Sequence, residues 1–252
     1  MSEIINKPKI MVFIDGTWLW HNAIALNETH NRKLDLGNLP KNLIESLDKN
    51  RPYQYVGTIL CASVPTNVAP IDTELAEKRV GFFKMMQEKY NFVVELYNID
   101  FKGQRITKSD RDPNSVFKIK EKCIDIATAS NLLFHANKYD VAFLVTGDSD
   151  FIPAINKVTL WGKQVIVATF KQSCSNKFLQ LQTENPRFNV VLMDDMIESL
   201  FLIRNTVTCE SAHHVGEPVM QTTYDVKPNQ KFFCHNCRKI YRESCSNANV
   251  FV

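Results

Sequence analysis

Two aspartates one residue apart, Asp148 and Asp150, follow the apolar run of residues 141–145 after a turn that contains Gly147. A short apolar run that ends in a glycine turn, before a helix-like segment, is typical of a buried parallel strand. Ligands of open parallel sheets bind at the carboxyl ends of the strands. Two carboxylates held there repel each other unless a cation lies between them, and Mg²⁺ or Mn²⁺ prefers oxygen ligands. The pair therefore favours a divalent-metal site.

Asp15 and Asp125 are two further aspartates that could complete such a site. Asp15 follows the apolar run of residues 10–14, so we expect it at the same edge of the sheet. Asp125 lies among apolar and small residues of a predicted helix, where an unpaired charge is costly. Four carboxylates of this kind could hold one or two metal ions that activate water and polarise a phosphate. A simpler interpretation stays open for each aspartate, as a helix cap, a turn residue or, for Asp125, a partner of Lys120 or Lys122.

Strands and helices alternate along the chain that must position these aspartates. Apolar runs predict strands, and apolar residues at helical spacing predict helices. The predicted strands are residues 10–14, 53–61, 92–96, 141–146, 164–168 and 189–192. The predicted helices are residues 18–26, 39–47, 73–90, 116–135, 152–161, 175–182 and 194–204, with a long surface loop at 98–115. This alternation indicates an α/β fold with a mostly parallel sheet and helices on both faces.

Length and composition limit the class of protein. A chain of 252 residues with 44% hydrophobic and 23% charged residues is long enough for one α/β domain and a small appendage. Periodicity fades near residue 205, so we predict a domain at 1–205 and a tail or small module at 206–252. The N-terminus lacks the apolar core of a secretory signal, and no apolar run approaches a membrane span. With scattered cysteines, these features predict a cytoplasmic protein with reduced thiols.

Positive charge is concentrated in one segment. The net charge of +3 is too small to indicate nucleic-acid binding by itself, but residues 102–122 contain seven lysines and arginines against three acids. This segment leads into the helix with Asp125. Lys118, Lys120 and Lys122 are therefore predicted to contact substrate phosphates beside the metal site. A solvated loop and helix face is the alternative that stays open.

Cysteines near the C-terminus form a second candidate metal site. Cys234 and Cys237 make a Cys-x-x-Cys pair, and Cys245 follows eight residues later. Thiolates at such spacing are typical zinc ligands, so we predict these three cysteines as ligands of Zn²⁺. The alternative is a flexible tail with incidental thiols. The fourth ligand is left open among a second chain and the residues Cys209, His213, His214 and His235.

Four sequence blocks, read in order, resemble the motifs of a known family. They are Phe-Ile-Asp-Gly at 13–16, Glu-Lys-Cys-Ile-Asp-Ile-Ala at 121–127, Thr-Gly-Asp-Ser-Asp-Phe-Ile-Pro-Ala at 146–154 and Gly-Lys-Gln-Val at 162–165. In these blocks the chain is similar to the NYN domain, a family that includes LabA-like proteins and belongs to the PIN-like nuclease superfamily. The resemblance implies a compact, Rossmann-like, three-layer α/β/α domain that cleaves RNA with Mg²⁺ or Mn²⁺.

The resemblance also implies roles for individual residues. The acidic positions of the family fall on Asp15, Asp125, Asp148 and Asp150, with Asp15 and Asp148 as direct metal ligands and the other two completing the cluster directly or through water. Single-stranded RNA is the implied partner, and dimers are common in the superfamily. The predicted function is a metal-dependent endoribonuclease. The alternatives are a catalytically weak RNA-binding or scaffold protein, or a metal-dependent enzyme acting on DNA or phosphate esters.

Two positions depart from the family pattern. Trp18 stands where the family usually has asparagine, and Asn131 stands where it often has an acidic residue. The loss of an orienting amide or of a fifth carboxylate could weaken metal binding or change the substrate. Trp18 could instead stack on an unpaired base, and Ser149 between the two aspartates is a further predicted substrate contact.

Overall fold

The computed structural model describes residues 7–30, 33–47, 52–114, 123–202, 205–222, 230–234 and 236–240 of the chain. These residues belong to two compact units, Met1–Phe201 and Leu202–Val252. No helix within the described ranges is long and apolar enough to cross a membrane.

Among the residues that the structure describes, six strands of the first unit form one sheet. In chain order they are β1 (Lys9–Asp15), β2 (Gln54–Thr66), β3 (Val93–Asp100), β4 (Val141–Val145), β5 (Gln164–Thr169) and β6 (Phe188–Leu192). Their order in the sheet is β3-β2-β1-β4-β5-β6, and each neighbouring pair is parallel. The chain therefore extends the sheet from β1 in one direction and then, from β4, in the other.

Helices cover both faces of this sheet. They are α1 (Gly16–His30), α2 (Leu39–Glu45), α3 (Thr73–Tyr90), α4 (Cys123–Phe134), α5 (Ile152–Leu160), α6 (Asn176–Glu184) and α7 (Ile197–Leu200). Short 3₁₀ turns lie at Pro70–Asp72, Lys108–Asp110, Ser149–Phe151, Lys171–Ser173 and Met193–Met196. The start of the helix predicted from residue 116 lies outside the described residues. The predicted three-layer α/β/α fold with a parallel sheet is confirmed.

Side chains of β1 alternate between two cores. Ile10, Val12 and Ile14 belong to the apolar cluster that includes side chains of α1, α2 and α3. Met11 and Phe13 belong to the cluster that includes side chains of α4, α5 and α6. Successive residues of a strand point to opposite faces of the sheet. Asp15, two residues after Phe13, therefore faces the layer that contains α4.

The helix predicted at 194–204 is shorter in the structure. α7 ends at Leu200, whose carbonyl oxygen accepts the Asp35 N–H at 2.7 Å. The next residue, Phe201, is buried and forms an antiparallel bridge with Leu34. These contacts occupy backbone groups that another helical turn would need, so tertiary pairing overrides the local helical pattern.

The second unit has its own small arrangement of elements. Within its described residues, β7 (Asn205–Thr208) and β8 (Val219–Thr222) pair antiparallel, and residues 236–240 are helical. Cys209, Cys234 and Cys237 are its described buried cluster, with Met220 and Phe232 partly buried against them. The described core of this unit therefore consists mainly of cysteine side chains.

Gly16 allows β2 to approach the turn that follows β1. A Cβ atom at this position would lie 2.8 Å from the Ala62 Cβ and 2.9 Å from the Cys61 carbonyl oxygen. Both atoms belong to β2, the strand paired with β1, so neither can move without shifting the sheet. A residue larger than glycine is therefore excluded here by space.

Gly16→Ala is expected to destabilise the protein by about 1–3 kcal/mol, because the added methyl group overpacks the contact between the two strands. The matched control is Gly81→Ala in α3, where a Cβ meets nothing within 4 Å. That change is expected to stabilise the helix by about 0.5–1 kcal/mol. Urea unfolding of both variants measures the difference. Equal effects of the two substitutions would contradict the proposed close approach at Gly16.

Candidate active site at the sheet edge and cysteine cluster

Asp15 and Asp148 lie at the carboxyl ends of two adjacent strands. Asp15 is the last residue of β1, and Asp148 lies three residues beyond the end of β4. The two strands are parallel, with Ile14 beside Val145. The sheet order reverses at this pair of strands, which is where open α/β sheets leave a crevice for ligands. The fold thus brings both carboxylates to one crevice.

Both aspartates also cap the helical turns that follow them. One Asp15 carboxylate oxygen accepts the Trp18 backbone N–H at 2.9 Å. One Asp148 oxygen accepts the Asp150 N–H at 2.9 Å, and the Asp148 N–H donates to Thr146 Oγ1 at 3.2 Å. A carboxylate has two oxygens and about four lone-pair sites, so one residue can cap a helix and ligate a metal. These hydrogen bonds therefore hold the carboxylates in place without excluding a cation.

Asp15 lies in the part of the crevice that is buried from solvent. It is only 4% exposed, and burial raises the pKa of its carboxyl to about 7. The Trp18 N–H opposes this shift, whereas the negative charges of Asp125 and Asp148 raise the pKa further. Asp125, in the first turn of α4, is therefore close enough to repel Asp15 directly. Three carboxylates converge here in surroundings that disfavour negative charge.

Asp150 lies further out than these three residues. It is exposed, and it shares the 3₁₀ turn Ser149–Phe151 with the half-buried Ser149. Within the described residues, no three of the four aspartates bring their ligand atoms within 4.8 Å of one another. Mg²⁺ and Mn²⁺ suit such an open set of oxygen donors, because Mg²⁺ usually keeps several waters among its ligands. The donor chemistry of the crevice therefore fits these ions.

Trp18 packs against the turn that leads to Asp148. Its ring stacks on Phe170, with the centroids 5.9 Å apart and 19° between the planes. A Cβ atom on Gly147 would lie 2.8 Å from the Trp18 indole nitrogen and would overlap the Ser173 carbonyl oxygen. Trp18 is half-buried, so one part of its ring is committed to packing. Base stacking by the exposed part stays a prediction.

The described part of the basic segment uses its arginines to hold a loop. Arg105 Nε donates to Asp72 at 2.8 Å, and this hydrogen bond lowers the pKa of the Asp72 carboxyl. Arg105 also contacts Asp110 at 3.1 Å. Arg111 donates to the carbonyl oxygens of Arg105 and Ile106, both at 2.8 Å. Three lysines are predicted to contact phosphates, and all three lie outside the described residues: Lys118, Lys120 and Lys122.

Asn131 binds a carboxylate that the sequence did not reveal. Its side-chain nitrogen donates to Glu95 at 3.0 Å and to the Ala127 carbonyl oxygen at 3.1 Å. Tyr97 donates to the same Glu95 oxygen at 3.0 Å. An acidic residue at position 131 would repel Glu95, so asparagine suits this position. The signal that could have found Glu95 is its two-residue spacing from Tyr97, which puts both side chains on one face of β3.

A buried polar network joins the crevice to a neighbouring cavity. The hydroxyl groups of Thr17 and Ser63 are 3.0 Å apart, and the Arg79 guanidinium donates to Ser63 Oγ at 3.0 Å. The Thr17 N–H also hydrogen bonds to Asp15 and lowers its pKa. Sequence reasoning missed this network. The available signal was Ser63, a hydroxyl residue within the otherwise apolar stretch 59–64 of β2.

The cavity beyond this network has a volume of about 820 Å³. It opens near the carboxyl end of β2 and along the loop of residues 106–111. Its lining includes the rings of Trp20 and His21 and the cations Arg79, Lys108 and Arg111, and the described lining contains no acidic residue. The Arg79 guanidinium lies 5.7 Å from the centroid of the Trp20 ring. The cavity therefore combines flat rings with positive charge.

The second unit contains a compact set of metal-ligand atoms. Ligand atoms of Cys209, His214, Cys234 and Cys237 all lie within 4.8 Å of one another. His214 Nδ1 is 3.6 Å from Cys234 Sγ and 3.5 Å from Cys237 Sγ. Hydrogen bonds, foremost that from the Cys237 backbone N–H, lower the pKa of the Cys234 thiol to about 6. This Cys/His cluster has the composition of a metal-binding site.

The cluster includes two of the three predicted zinc ligands. It contains the predicted Cys-x-x-Cys pair, and its other members, Cys209 and His214, come from the residues left open for the fourth ligand. His213 is exposed and is not a member of the cluster. The remaining candidates, Cys245 and His235, lie outside the described residues.

Comparison with known proteins identifies the family. The NYN domain family profile matches residues 9–188, so the chain belongs to the NYN domain family. No curated protein matches the chain. A crystal structure of a protein of unknown function from Vibrio parahaemolyticus is similar, with 18% sequence identity and a TM-score of 0.45 over 79% of this chain and 98% of that chain. Membership of the family supports a nuclease-like, RNA-related function.

Asp15→Asn is expected to stabilise the metal-free protein above pH 7, on the order of 2–4 kcal/mol. The pKa of Asp15 rises from its ordinary value of 3.8 to about 7, so ionisation of the wild-type residue destabilises the folded state. The gain should shrink as the pH falls from 7 towards 4, where the wild-type carboxyl is protonated on folding. Urea unfolding across this range in EDTA measures it.

Asp100→Asn is a control of opposite sign. The Lys102 N–H, foremost among its partners, lowers the pKa of Asp100, so the charged form stabilises the folded state at neutral pH. This substitution should therefore destabilise the protein at pH 7, and its effect should fade as the pH falls below 4. If the free energy of unfolding changed with pH in the same way for both substitutions, Asp15 could not be a buried carboxyl whose charge destabilises the fold.

Proposed function

We propose that this protein is a metal-dependent endoribonuclease that hydrolyses phosphodiester bonds of RNA. The observation that carries the proposal is the convergence of Asp15, Asp125 and Asp148 at the sheet crevice of an NYN-family chain. Three like charges in such a crevice cost free energy unless a cation binds. Carboxylate-held cations are the usual means of activating water and stabilising charge in phosphodiester hydrolysis. Asp150 completes the proposed set at the rim.

Asp15 and Asp148 are the proposed direct ligands of Mg²⁺ or Mn²⁺, with Asp125 and Asp150 acting directly or through water. When bound, the ion supplies Lewis-acid stabilisation of the phosphate and lowers the pKa of a water. The protein keeps the ligands oriented, because the Trp18 and Asp150 N–H groups fix Asp15 and Asp148. Since burial raises the pKa of Asp15 to about 7, ion binding is expected to strengthen as the pH rises through 7.

The cavity beside the crevice is the proposed path for the RNA strand. Its cations, among them Lys108, suit phosphate groups, and the rings of Trp20 and His21 suit an unpaired base. The Thr17–Ser63–Arg79 network links this cavity to the Asp15 turn, so one strand could occupy both. These features favour single-stranded RNA over a duplex, whose bases are stacked and paired.

Asp148→Asn is expected to reduce Mn²⁺-dependent cleavage of a labelled single-stranded RNA by at least about 100-fold. Substitution of residues that only hydrogen bond to metal ligands commonly costs about 10–100-fold in activity, and loss of a direct ligand should cost at least as much. Asp140→Asn is the matched control. Asp140 lies just before the amino end of β4, where it accepts the Lys9 N–H at 2.9 Å. That variant should cleave at the wild-type rate. Cleavage that persists in EDTA, or in Asp148→Asn, would contradict the proposal.

The alternative function is RNA binding without efficient cleavage. Trp18 favours it, because the indole ring occupies the position of an orienting amide in the family and is committed to packing on Phe170. Mn²⁺ and RNA binding by the wild-type protein, with no cleavage of RNA or of single-stranded DNA of the same sequence, would support this alternative. Cleavage of the DNA alone would instead identify a deoxyribonuclease.

Lys108→Ala is expected to weaken RNA binding and to reduce the slope of log K against log salt by about 1, because one phosphate contact is lost. The control is Lys84→Ala, since Lys84 lies on α3 and pairs with Glu88 at 3.7 Å. Fluorescence anisotropy with an RNA oligomer in EDTA measures binding without cleavage. An unchanged slope in Lys108→Ala would exclude the cavity as the path of the strand.

The cytoplasmic location and the homodimer stay predictions. Sedimentation velocity of the purified chain tests the second of these directly. The binding of RNA by one chain or by a dimer would then be distinguished by the stoichiometry of the complex.

A further inference from the structure

We propose that Cys209, His214, Cys234 and Cys237 bind one Zn²⁺ in a closed, tetrahedral, structural site, with His214 ligating through Nδ1. Three thiolates and one imidazole are a typical structural zinc set, and their ligand atoms here already lie within 4.8 Å of one another. This inference does not rest on the proposed nuclease function, because the cluster and the aspartate crevice belong to different compact units.

The distances between ligand atoms match those around a zinc ion. Sulfur at about 2.3 Å and nitrogen at about 2.0 Å from a tetrahedral ion stand about 3.5 Å apart. His214 Nδ1 lies 3.6 Å from Cys234 Sγ and 3.5 Å from Cys237 Sγ. Nδ1 has a single lone pair, so one well-aligned thiol–imidazole hydrogen bond explains only one of these contacts. One ion between the three atoms accounts for both distances.

The surroundings of the cluster orient the ligands as a zinc site requires. His214 Nε2 lies 3.1 Å from the Glu217 carbonyl oxygen, which can only accept a hydrogen bond. Nε2 therefore carries the hydrogen, and in the neutral imidazole Nδ1 presents its lone pair to the thiols. The Cys234 N–H points to Cys209 Sγ at 3.3 Å, and the Cys237 N–H points to Cys234 Sγ at 3.5 Å. Such outer hydrogen bonds stabilise thiolates and fix the tautomer of a ligating histidine.

The ion would supply stability that the described apolar contacts of this unit do not. Its described core consists of three cysteines with Met220 and Phe232 against them, and its described hairpin has two strands of 4 residues each. A two-stranded hairpin with so small a core is marginal in water. Backbone hydrogen bonds already bring the segments together, from Cys209 to Pro218 at 2.8 Å and from Glu210 to Phe232 at 2.9 Å. Zinc binding to such a site contributes directly to folding.

A closed set of four protein ligands also indicates what the site does not do. Catalytic zinc sites keep one position for water or substrate, whereas structural sites have four protein ligands. The proposed zinc is therefore separate in role from the Mg²⁺ or Mn²⁺ of the aspartate crevice. Sulfur and nitrogen donors select the softer ion, and oxygen donors select the harder one.

The first experiment is metal analysis of the full-length chain purified under reducing conditions. We expect elemental mass spectrometry to show one zinc per chain, both in the wild-type protein and in Asp148→Asn. X-ray absorption at the zinc edge should fit three sulfurs at about 2.3 Å and one nitrogen at about 2.0 Å. A chain that binds no zinc, even after ZnCl₂ is added, would overturn the proposal. A zinc coordination shell made of oxygens, or of four sulfurs, would overturn it as well.

Paired variants then identify the ligands. Competition with a chromophoric chelator should show a loss of zinc affinity of more than about 100-fold in Cys237→Ser and His214→Gln. The matched controls, Cys245→Ser and His213→Gln, should bind zinc as the wild type does. Wild-type affinity in His214→Gln, or loss of zinc in Cys245→Ser, would overturn this ligand set. If a variant does not fold, the zinc coordination shell of the wild-type protein, measured by X-ray absorption, still tests the proposed ligand set.

Hydrogen exchange tests the structural role. Removal of zinc by a chelator that leaves Mg²⁺ in solution should increase exchange in peptides covering 205–222 and 230–240, with no change in β1 and β4. Unchanged exchange in the first group would overturn the structural role. RNA cleavage is measured separately from zinc content. Loss of cleavage in Asp148→Asn with its zinc retained concerns only the nuclease proposal. Loss of zinc in Cys237→Ser concerns only the zinc proposal.

Discussion

The parallel pairing of β1 with β4 is the constraint on which the aspartate crevice depends. It brings Asp15 and Asp148 to the same sheet edge, at the point where the order of the strands reverses. Alternation along β1 then turns Asp15 towards α4, whose first turn contains Asp125. The same placement buries Asp15 and raises its pKa to about 7. The fold thus creates an electrostatic cost that a divalent cation would relieve.

Two residues depart from the family pattern, and the structure gives each a local physical reason. Trp18 stacks on Phe170 and lies against Gly147, so it supports the turn that carries Asp148. Asn131 donates a hydrogen bond to Glu95, a carboxylate that an acidic residue would repel. Asp15 and Asp148 keep the hydrogen bonds that orient them.

The two candidate metal sites depend on their surroundings in opposite ways. The aspartate crevice is held by a large sheet with apolar clusters on both faces, so apolar burial stabilises the elements that bring the carboxylates together. The described core of the second unit is made mainly of the candidate ligands themselves. Metal binding in the first case would relieve repulsion between carboxylates. In the second case it would provide the stability that apolar burial supplies elsewhere in the chain.

The sequence alone determined the parallel α/β fold and the strand-end positions of Asp15 and Asp148, because apolar periodicity and glycine turns act over a few neighbouring residues. It did not determine the partner of Asn131, the early end of α7, or which residues join the Cys-x-x-Cys pair. Glu95 meets Asn131 across 36 positions of the chain, and Leu200 meets Asp35 from the far end of the first unit. Cys209 and His214 likewise reach Cys234 only through the hairpin and its backbone hydrogen bonds. Such contacts depend on how distant segments pack together, which the tertiary structure alone decides, since local periodicity carries no information about them.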